Sequence, residues 1–454
     1  MVYNFITYLK KSNLNNIGTL FFRIGIFLLP SAFFISAILF LLSIVISFFN
    51  NSSRLFKDKW NYLFYISFIF MIISSLIHLI NFPNDLLFYL LKTNPEDVVI
   101  GTEKLKWSSW ESLIGLGNWV PFIFCFIGFQ SYLSSPRERK ISAKLLITGS
   151  LPVLVTGFGQ FWFGWYGPMY FLNDLIIWFQ RPLLENQGLS GLFNNQNYAG
   201  CWLTIIWPFS LALIFDKTSN IFNKTMIVAI GMAISVATFL TYSRSAWGGF
   251  LLSSFLLLGE NIFVILIFST ILIIFSAFLL PSIISQDIFN INSNFLDKFN
   301  ILKQFDPSEY QKDSQRLTIF SFALKYISLR PLIGWGSSVF FLYYFANKHL
   351  YTGHPHNLFL EVAFSYGLLS AIPLFINIIF LTFSSFKEIS QNNSKLTNLE
   401  TYFEKAWWIS FFVLLCTQMV DIQYFDGRIS LAFWILLAGI KQIINNDLDT
   451  KLNK

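Results

Sequence analysis

Long uncharged runs decide what this chain can be. The stretch "IFVILIFSTILIIFSAFLLPSII", Ile262 to Ile284, holds 23 residues without a charge, and about 20 helical residues cross a bilayer core. Further apolar spans, some with one or two charges, lie near residues 60–81, 118–135, 141–157, 198–215, 224–241, 245–259, 357–386, 406–423 and 428–445. Segment 18–49 is too long for one untilted span and is interrupted by Pro30. It is either one tilted helix or a hairpin of two short ones, for eleven or twelve spans in all. Charged residues make up 12% of the chain, against about 25% in soluble domains. The expected fold is all-α, a polytopic transmembrane bundle.

Other classes lack residues. Cys125, Cys201 and Cys416 sit inside apolar segments with no CxxC or Cys/His spacing, so neither zinc nor redox chemistry is expected. No P-loop, GxSxG or DxD-type cluster is present, so no metal and no cofactor is implied. The net charge of +7 is spread over loops and gives no reason to expect a nucleic-acid partner. The amino terminus runs into an apolar stretch with no small-residue cleavage pattern, so no cleavable signal is expected.

Positive residues in short loops orient such a bundle. Arg54, Lys57 and Lys59, then Arg137, Arg139 and Lys140, then Lys217 and Lys224 fall on one side, which should be cytoplasmic. Loop 387–405 and tail 446–454 join them, and Lys10 and Lys11 place the amino terminus inside, favouring two passes within 18–49. Segments 82–117, 158–197 and 285–356 then face outward. The organisation expected is transmembrane helices over 1–189, a core over 190–445 that includes the outer loop 285–356, and a cytoplasmic tail at 446–454. Within the outer loop, Leu317, Phe320, Ala323, Leu324 and Ile327 have helical spacing. They read as an amphipathic helix with Arg316 at its start, stopped by Pro331 and Gly334.

Four side chains on the outer side are chemically suggestive. His356 precedes the helix-capping candidate Asn357 at a helix mouth. A histidine there can take a proton from a hydroxyl near neutral pH; the plainer alternative is an interfacial histidine that only caps or snorkels. Arg244, in "FLTYSRSAWGGFLLSS", lies between two apolar runs. Arginine at such depth is costly and marks a function or a paired charge, and its planar fork suits phosphate oxygens; snorkelling to headgroups is the alternative. Arg316 and Arg181 ("WFQRPLLENQG") are further candidates, with a surface-helix charge and a solvated loop charge as their plainer readings. His354 and His349 are expected to point elsewhere and be dispensable. Asp421 stands out as a carboxylate at membrane depth without a paired acid, so proton-relay transport has little support.

Together these features resemble the O-antigen ligase and polymerase superfamily of bacterial polytopic membrane proteins. The resemblance rests on "HN" at His356–Asn357 followed by Gly367, on "TYSRSAWGGF", on "QRLTIFSFALKYISLRPLIGWGSSVF", and on "GLFNNQNYAG" at Gly191–Gly200. It covers roughly residues 190–375. Ser370 departs from the residue that ligases carry there, which leaves ligase and polymerase both open. The resemblance implies metal-independent, inverting glycosyl transfer in surface polysaccharide biosynthesis. The donor would be a glycan on undecaprenyl pyrophosphate, the acceptor a glycan or a lipid, the setting the inner membrane with the active face periplasmic. His356 would be the base, and Arg244, Arg316 and Arg181 the pyrophosphate ligands. The competing class is a membrane transporter of a small anion or a lipid-linked substrate, against which stands the lack of an internal repeat.

Overall fold

The computed structural model describes residues 2–51, 57–80, 98–100, 103–105, 108–184, 187–215, 221–259, 307–348, 350–391 and 398–452. The expected span 262–284, the outer-loop part 285–306 and His349 lie outside the described residues. The chain is an all-α polytopic bundle: among the described residues, eight helices are long and apolar enough to cross a membrane.

Segment 18–49 resolves into a hairpin. Helix α1 (Val2–Leu28) and helix α2 (Phe33–Asn51) are separated at Pro30 and packed side by side, with Ser36 Oγ donating to Gly25 O at 2.7 Å. Next come α3 (Tyr62–Ile80), α4 (Val120–Phe129), α5 (Pro136–Gly149) and α6 (Leu151–Phe163). The expected span 141–157 is thus longer and two-part. Ser135 starts it by accepting from Glu138 N at 3.2 Å, and at the α5–α6 joint Ser150 Oγ donates to Leu146 O and accepts from Trp202 Nε1. Then follow α7 (Gln196–Ile214), α8 (Ile221–Leu240) and α9 (Arg244–Leu258). After the undescribed stretch come α10 (Pro307–Leu329), α11 (Phe340–Lys348), α12 (Leu358–Tyr366), α13 (Leu368–Gln391), α14 (Asn398–Gln418) and α15 (Gly427–Leu452). Two short hairpins, β1–β2 (Val98–Ile100, Glu103–Leu105) and β3–β4 (Met169–Phe171, Ile176–Trp178), interrupt the helical pattern.

Burial separates the centre from the rim. Of the apolar windows, α15 is 89% buried and α7 83%, whereas α2 and α8 are 28% buried. The first two are therefore core helices, and the others offer most of their surface to lipid. At the end of the bundle that carries Arg139, charges are neutralised in place. The Arg139–Glu404 pair at 2.9 Å is almost wholly buried and ties α5 to α14, and Arg139 also donates to Leu133 O. Lys441 on α15 meets Asp58 at 3.0 Å. Arg139 is thus a structural ion pair rather than a solvated loop charge.

Two sequence expectations change here. Helix α10 begins at Pro307, so Arg316 lies in its third turn rather than at its start. Its buried face is Ile319, Phe322, Ala323, Tyr326 and Ile327, while Leu317 and Leu324 are exposed. The face is turned because Phe322 and Tyr326 dock on the aromatic cluster of Trp335, Phe340, Tyr343, Tyr344 and Phe364.

Likewise, the span expected at 357–386 is broken. Helices α12 and α13 meet at Gly367, which is left-handed at φ +86°. Backbone groups exposed by a break at membrane depth must find partners inside the protein. Loop 331–336 supplies them. Trp335 N donates to Phe364 O at 2.8 Å, Gly336 N to Ser365 O at 3.0 Å, and Leu368 N to Pro331 O at 2.7 Å. Helix α3 holds this loop from behind, with Ser74 Oγ donating to Ile333 O at 2.6 Å. Approach is so close that a Cβ on Gly367 would lie 2.2 Å from Leu332 O. Gly367→Ala should therefore lower the melting temperature of the detergent-solubilised protein, with strain of about 1–3 kcal/mol from the backbone conformation alone and the clash added to it. An unchanged melting curve would show that the loop does not depend on this contact.

Candidate functional site

His356 owes its setting to two loops. The first is 350–357, which ends where Asn357 caps α12: its Oδ1 accepts from Leu360 N at 3.0 Å, and its Nδ2 donates to Met419 O at 2.8 Å. One carboxamide thus starts the helix and fastens it to the end of α14. His356 is left-handed at φ +52°, a conformation non-glycine residues adopt at a cost. Its backbone N–H donates to His354 Nδ1 at 3.2 Å, and the two imidazoles stand edge to face with centroids 4.5 Å apart. His354 therefore belongs to the cluster, contrary to the expectation that it points elsewhere.

The second loop joins α14 to α15 and carries Asp421. The helix expected over 406–423 stops at Gln418, which frees this carboxylate to turn back onto the site. Asp421 Oδ1 lies 2.8 Å from His356 Nδ1, with side chains 8% and 27% exposed respectively. Asp421 Oδ2 accepts from Gln423 Nε2 at 3.0 Å. Gln418 in turn fixes Gln423: its Oε1 accepts from Gln423 N and Tyr424 N at 2.9 Å, and its Nε2 donates to Gln423 Oε1 at 3.0 Å. Burial alone would raise the Asp421 pKa, but the His356 hydrogen bond and the charges of His356, Arg316 and His354 hold it below the ordinary value. The carboxylate is thus ionised. With Nδ1–H assigned toward it, His356 carries its basic lone pair on Nε2. An acid that orients a base in this way also stabilises the imidazolium once the proton arrives.

Arg316 links this pair to the arginine of α9. Arg244 and Arg316 line one cavity of about 370 Å³, with Ser245, Gly248, Gly249, Leu252, Val413, Cys416, Thr417 and Val420 as the other walls. Its lining combines the two arginines, Ser245 and Thr417 with apolar side chains and glycines of α9 and α14. Ser243 occupies the N-cap of α9 with its Oγ 3.1 Å from Ser245 Oγ rather than on a helix amide, so the partial positive charge of the helix start adds to the two arginines.

Arg181 stands apart. It is exposed and is not among the residues lining this cavity. What the structure fixes is its backbone: its N donates to Asn194 Oδ1 and its O accepts from Gln160 Nε2. The "NNQN" motif is thereby explained, because Asn195 caps α7 by accepting from Asn197 N and Tyr198 N. Arg428 adds a clamp, pairing with Asp426 while donating to Leu192 O and lying 3.8 Å from the centre of the Phe193 ring. Asp421, Gln418 and Gln423 are the residues that sequence reasoning did not assign to the site. Asp421 was visible as an isolated acid between two spans, but nothing in the sequence joins it to a histidine 65 positions earlier.

The fold and the site define a multi-pass membrane protein with a base–acid pair beside a two-arginine cavity. Residues 227–375 match the family described as O-antigen ligase, which supports the resemblance to the O-antigen ligase and polymerase superfamily. The match takes in Arg244, Arg316, His356, Asn357 and Gly367, but neither Arg181 nor Asp421. No curated protein matches the chain. The match supports an O-antigen ligase-type membrane enzyme, a family that implies glycosyl transfer and lipid-linked glycan substrates.

The loop should register acid. Burial, reinforced by the neighbouring His356, pushes the His354 pKa from 6.5 down to about 4. Since the unfolded chain takes the proton first, the stabilising effect is complete above pH 6.5 and is lost as pH falls toward 4, by at most ~3 kcal/mol. The melting temperature should drop across this window, and His354→Asn should flatten the drop. An identical acid profile in that variant would remove His354 as its source.

Proposed function

We propose that this protein transfers a glycan from an undecaprenyl pyrophosphate donor to a hydroxyl of a second glycan or of a lipid, with inversion and without a metal. His356 Nε2 takes the proton as the acceptor oxygen bonds to the anomeric carbon. The bond from that carbon to the pyrophosphate oxygen breaks on the opposite face, and the lipid pyrophosphate leaves with the electron pair. Arg244 and Arg316 hold the charge that develops there, and Asp421 stabilises the imidazolium. The observation that carries this is the shared cavity, lined by two arginines and by apolar residues of α9 and α14, with the Arg316 charge also acting on the Asp421 carboxylate that pairs with His356. That combination suits a ligand with a doubly charged head and a hydrocarbon tail. The site fits the periplasmic face of the inner membrane, where such donors are consumed. Arg181 would serve as an outer pyrophosphate contact only if the donor brings loop 181–184 to the cavity.

The test is transfer by the purified protein in liposomes supplied with lipid-linked oligosaccharide and acceptor. His356→Ala should slow turnover roughly 10²-fold or more while leaving donor binding intact. His354→Ala should cost less, since it supports the backbone of His356 rather than the proton. Normal turnover by His356→Ala would place the base elsewhere.

The donor site has its own checks. Arg244→Lys should lose most activity although the charge is kept, because a point charge cannot make the bidentate phosphate contact. A Cβ on Gly248 would meet nothing within 4 Å, so Gly248→Phe should fill the cavity without unfolding the helix and abolish donor binding. Full activity in both variants would exclude this cavity as the donor site.

A further inference from the structure

The β3–β4 hairpin presents apolar surface that the reaction does not use. Tyr166, Tyr170, Leu172, Leu175, Ile177 and Phe179 are each between 52% and 72% exposed. From Phe163 to Gln180 the only charged residue is Asp174, at the tip. Soluble surfaces rarely carry a contiguous apolar patch of this kind without a partner.

The hairpin is also rigid, so it cannot fold over to hide these side chains. Gln180 Nε2 donates to Thr156 O at 3.0 Å and to Trp165 O at 3.2 Å, and Gly167 N donates to Gln180 O at 2.8 Å. Asn194 Nδ2 holds Phe179 O at 2.7 Å. In the strand register Tyr170 faces Ile177, and both are exposed, whereas Met169 and Trp178 on the other face are half-buried. The Tyr170–Ile177 face is thus the one offered outward, while the other is partly covered, with Phe171 still 41% exposed. The turn repeats the choice: Leu172, Asn173 and Asp174 are all left-handed, at φ 54°, 52° and 65°. Asn and Asp tolerate that region, whereas leucine does not. An exposed leucine kept there against its backbone preference points to a contact that rewards it.

What lies beside the hairpin follows from continuity with α6. This membrane-spanning helix ends at Phe163, and β3 begins at Met169. Five intervening residues reach at most about 17 Å, so the hairpin cannot leave the bilayer boundary. The same end of the bundle carries His356, since Arg428 beside the Asp421 loop donates to Leu192 O next to the hairpin's base. Tyrosine, phenylalanine and leucine at a membrane boundary are the composition of an interfacial anchor. The charge of Asp174 at the tip requires the hairpin to lie along the headgroup boundary rather than plunge through it.

We propose that the β3–β4 hairpin is a lipid-binding anchor lying in the bilayer interface on the His356 side, with Tyr170, Leu172, Leu175 and Ile177 against the acyl boundary. It is independent of the glycan chemistry. The test places a benzophenone amino acid singly at positions 172, 175 and 177 of the full chain, and at exposed Tyr351 as the reference. Each protein is reconstituted in phosphatidylethanolamine–phosphatidylglycerol liposomes, checked for its native elution profile and irradiated. Phospholipid adducts at hairpin positions should exceed the Tyr351 yield several-fold. Equal lipid yields at all positions, or chain-to-chain adducts that rise with protein density, would overturn the anchor, the latter in favour of contact between copies.

Discussion

Inside a bilayer no water is present to take up a backbone hydrogen bond, and the site exists because one helix break satisfies that condition. At Gly367 the last carbonyls of α12 are met by amides of loop 331–336, and Leu368 N is met by Pro331 O. The break lets α12 stand as a separate nine-residue helix, and its N-terminus carries His356. Loop 331–336 directly follows α10, the helix that carries Arg316. The same hydrogen bonds that make the break tolerable therefore help to set His356 and Arg316 relative to each other.

Around that joint, polar side chains work as fasteners between segments distant in sequence. Asn357 joins α12 to α14, the Gln418–Gln423 pair aims Asp421 at His356, and Arg428 joins α15 to the loop before α7. Each is fully or largely withdrawn from solvent, where a hydrogen bond contributes about 0.5–1.5 kcal/mol between neutral groups and about 1.5–3 kcal/mol to a charged one, and an orphaned partner costs about 1–3 kcal/mol. At the opposite end, Arg139–Glu404 and Lys441–Asp58 do the same for α5, α14, α15 and the start of α3. A bundle pinned at both ends leaves the cavity between α9 and α14 as a lasting opening in the wall. Gly248 has no side chain to close it.

Helix α10 and hairpin β3–β4 present apolar side chains in different ways. Helix α10 covers the aromatic cluster with one face and leaves Leu317 and Leu324 outside. Hairpin β3–β4 is held at its base by Gln180 and Asn194 and keeps its apolar face free.

The amino-acid order alone determined the helical class and the position of most spans, and it singled out His356, Arg244 and Arg316 as candidates. Those are local properties: uninterrupted hydrophobicity, a charge at membrane depth, a histidine before a cap. The tertiary structure decided what depends on contacts across the chain. It broke 357–386 at Gly367, because loop 331–336 could satisfy the exposed carbonyls. It turned the buried face of α10 toward Phe322 and Tyr326, because an aromatic cluster from α11 and α12 waits there. It ended α14 at Gln418 and so gave His356 its carboxylate, and it left Arg181 outside the cavity, because Asn194 and Gln160 fix that backbone elsewhere. Hydrophobic periodicity records which residues leave water; which partner each one meets is settled only when the packed helices bring distant hydrogen-bonding groups within about 3 Å of one another.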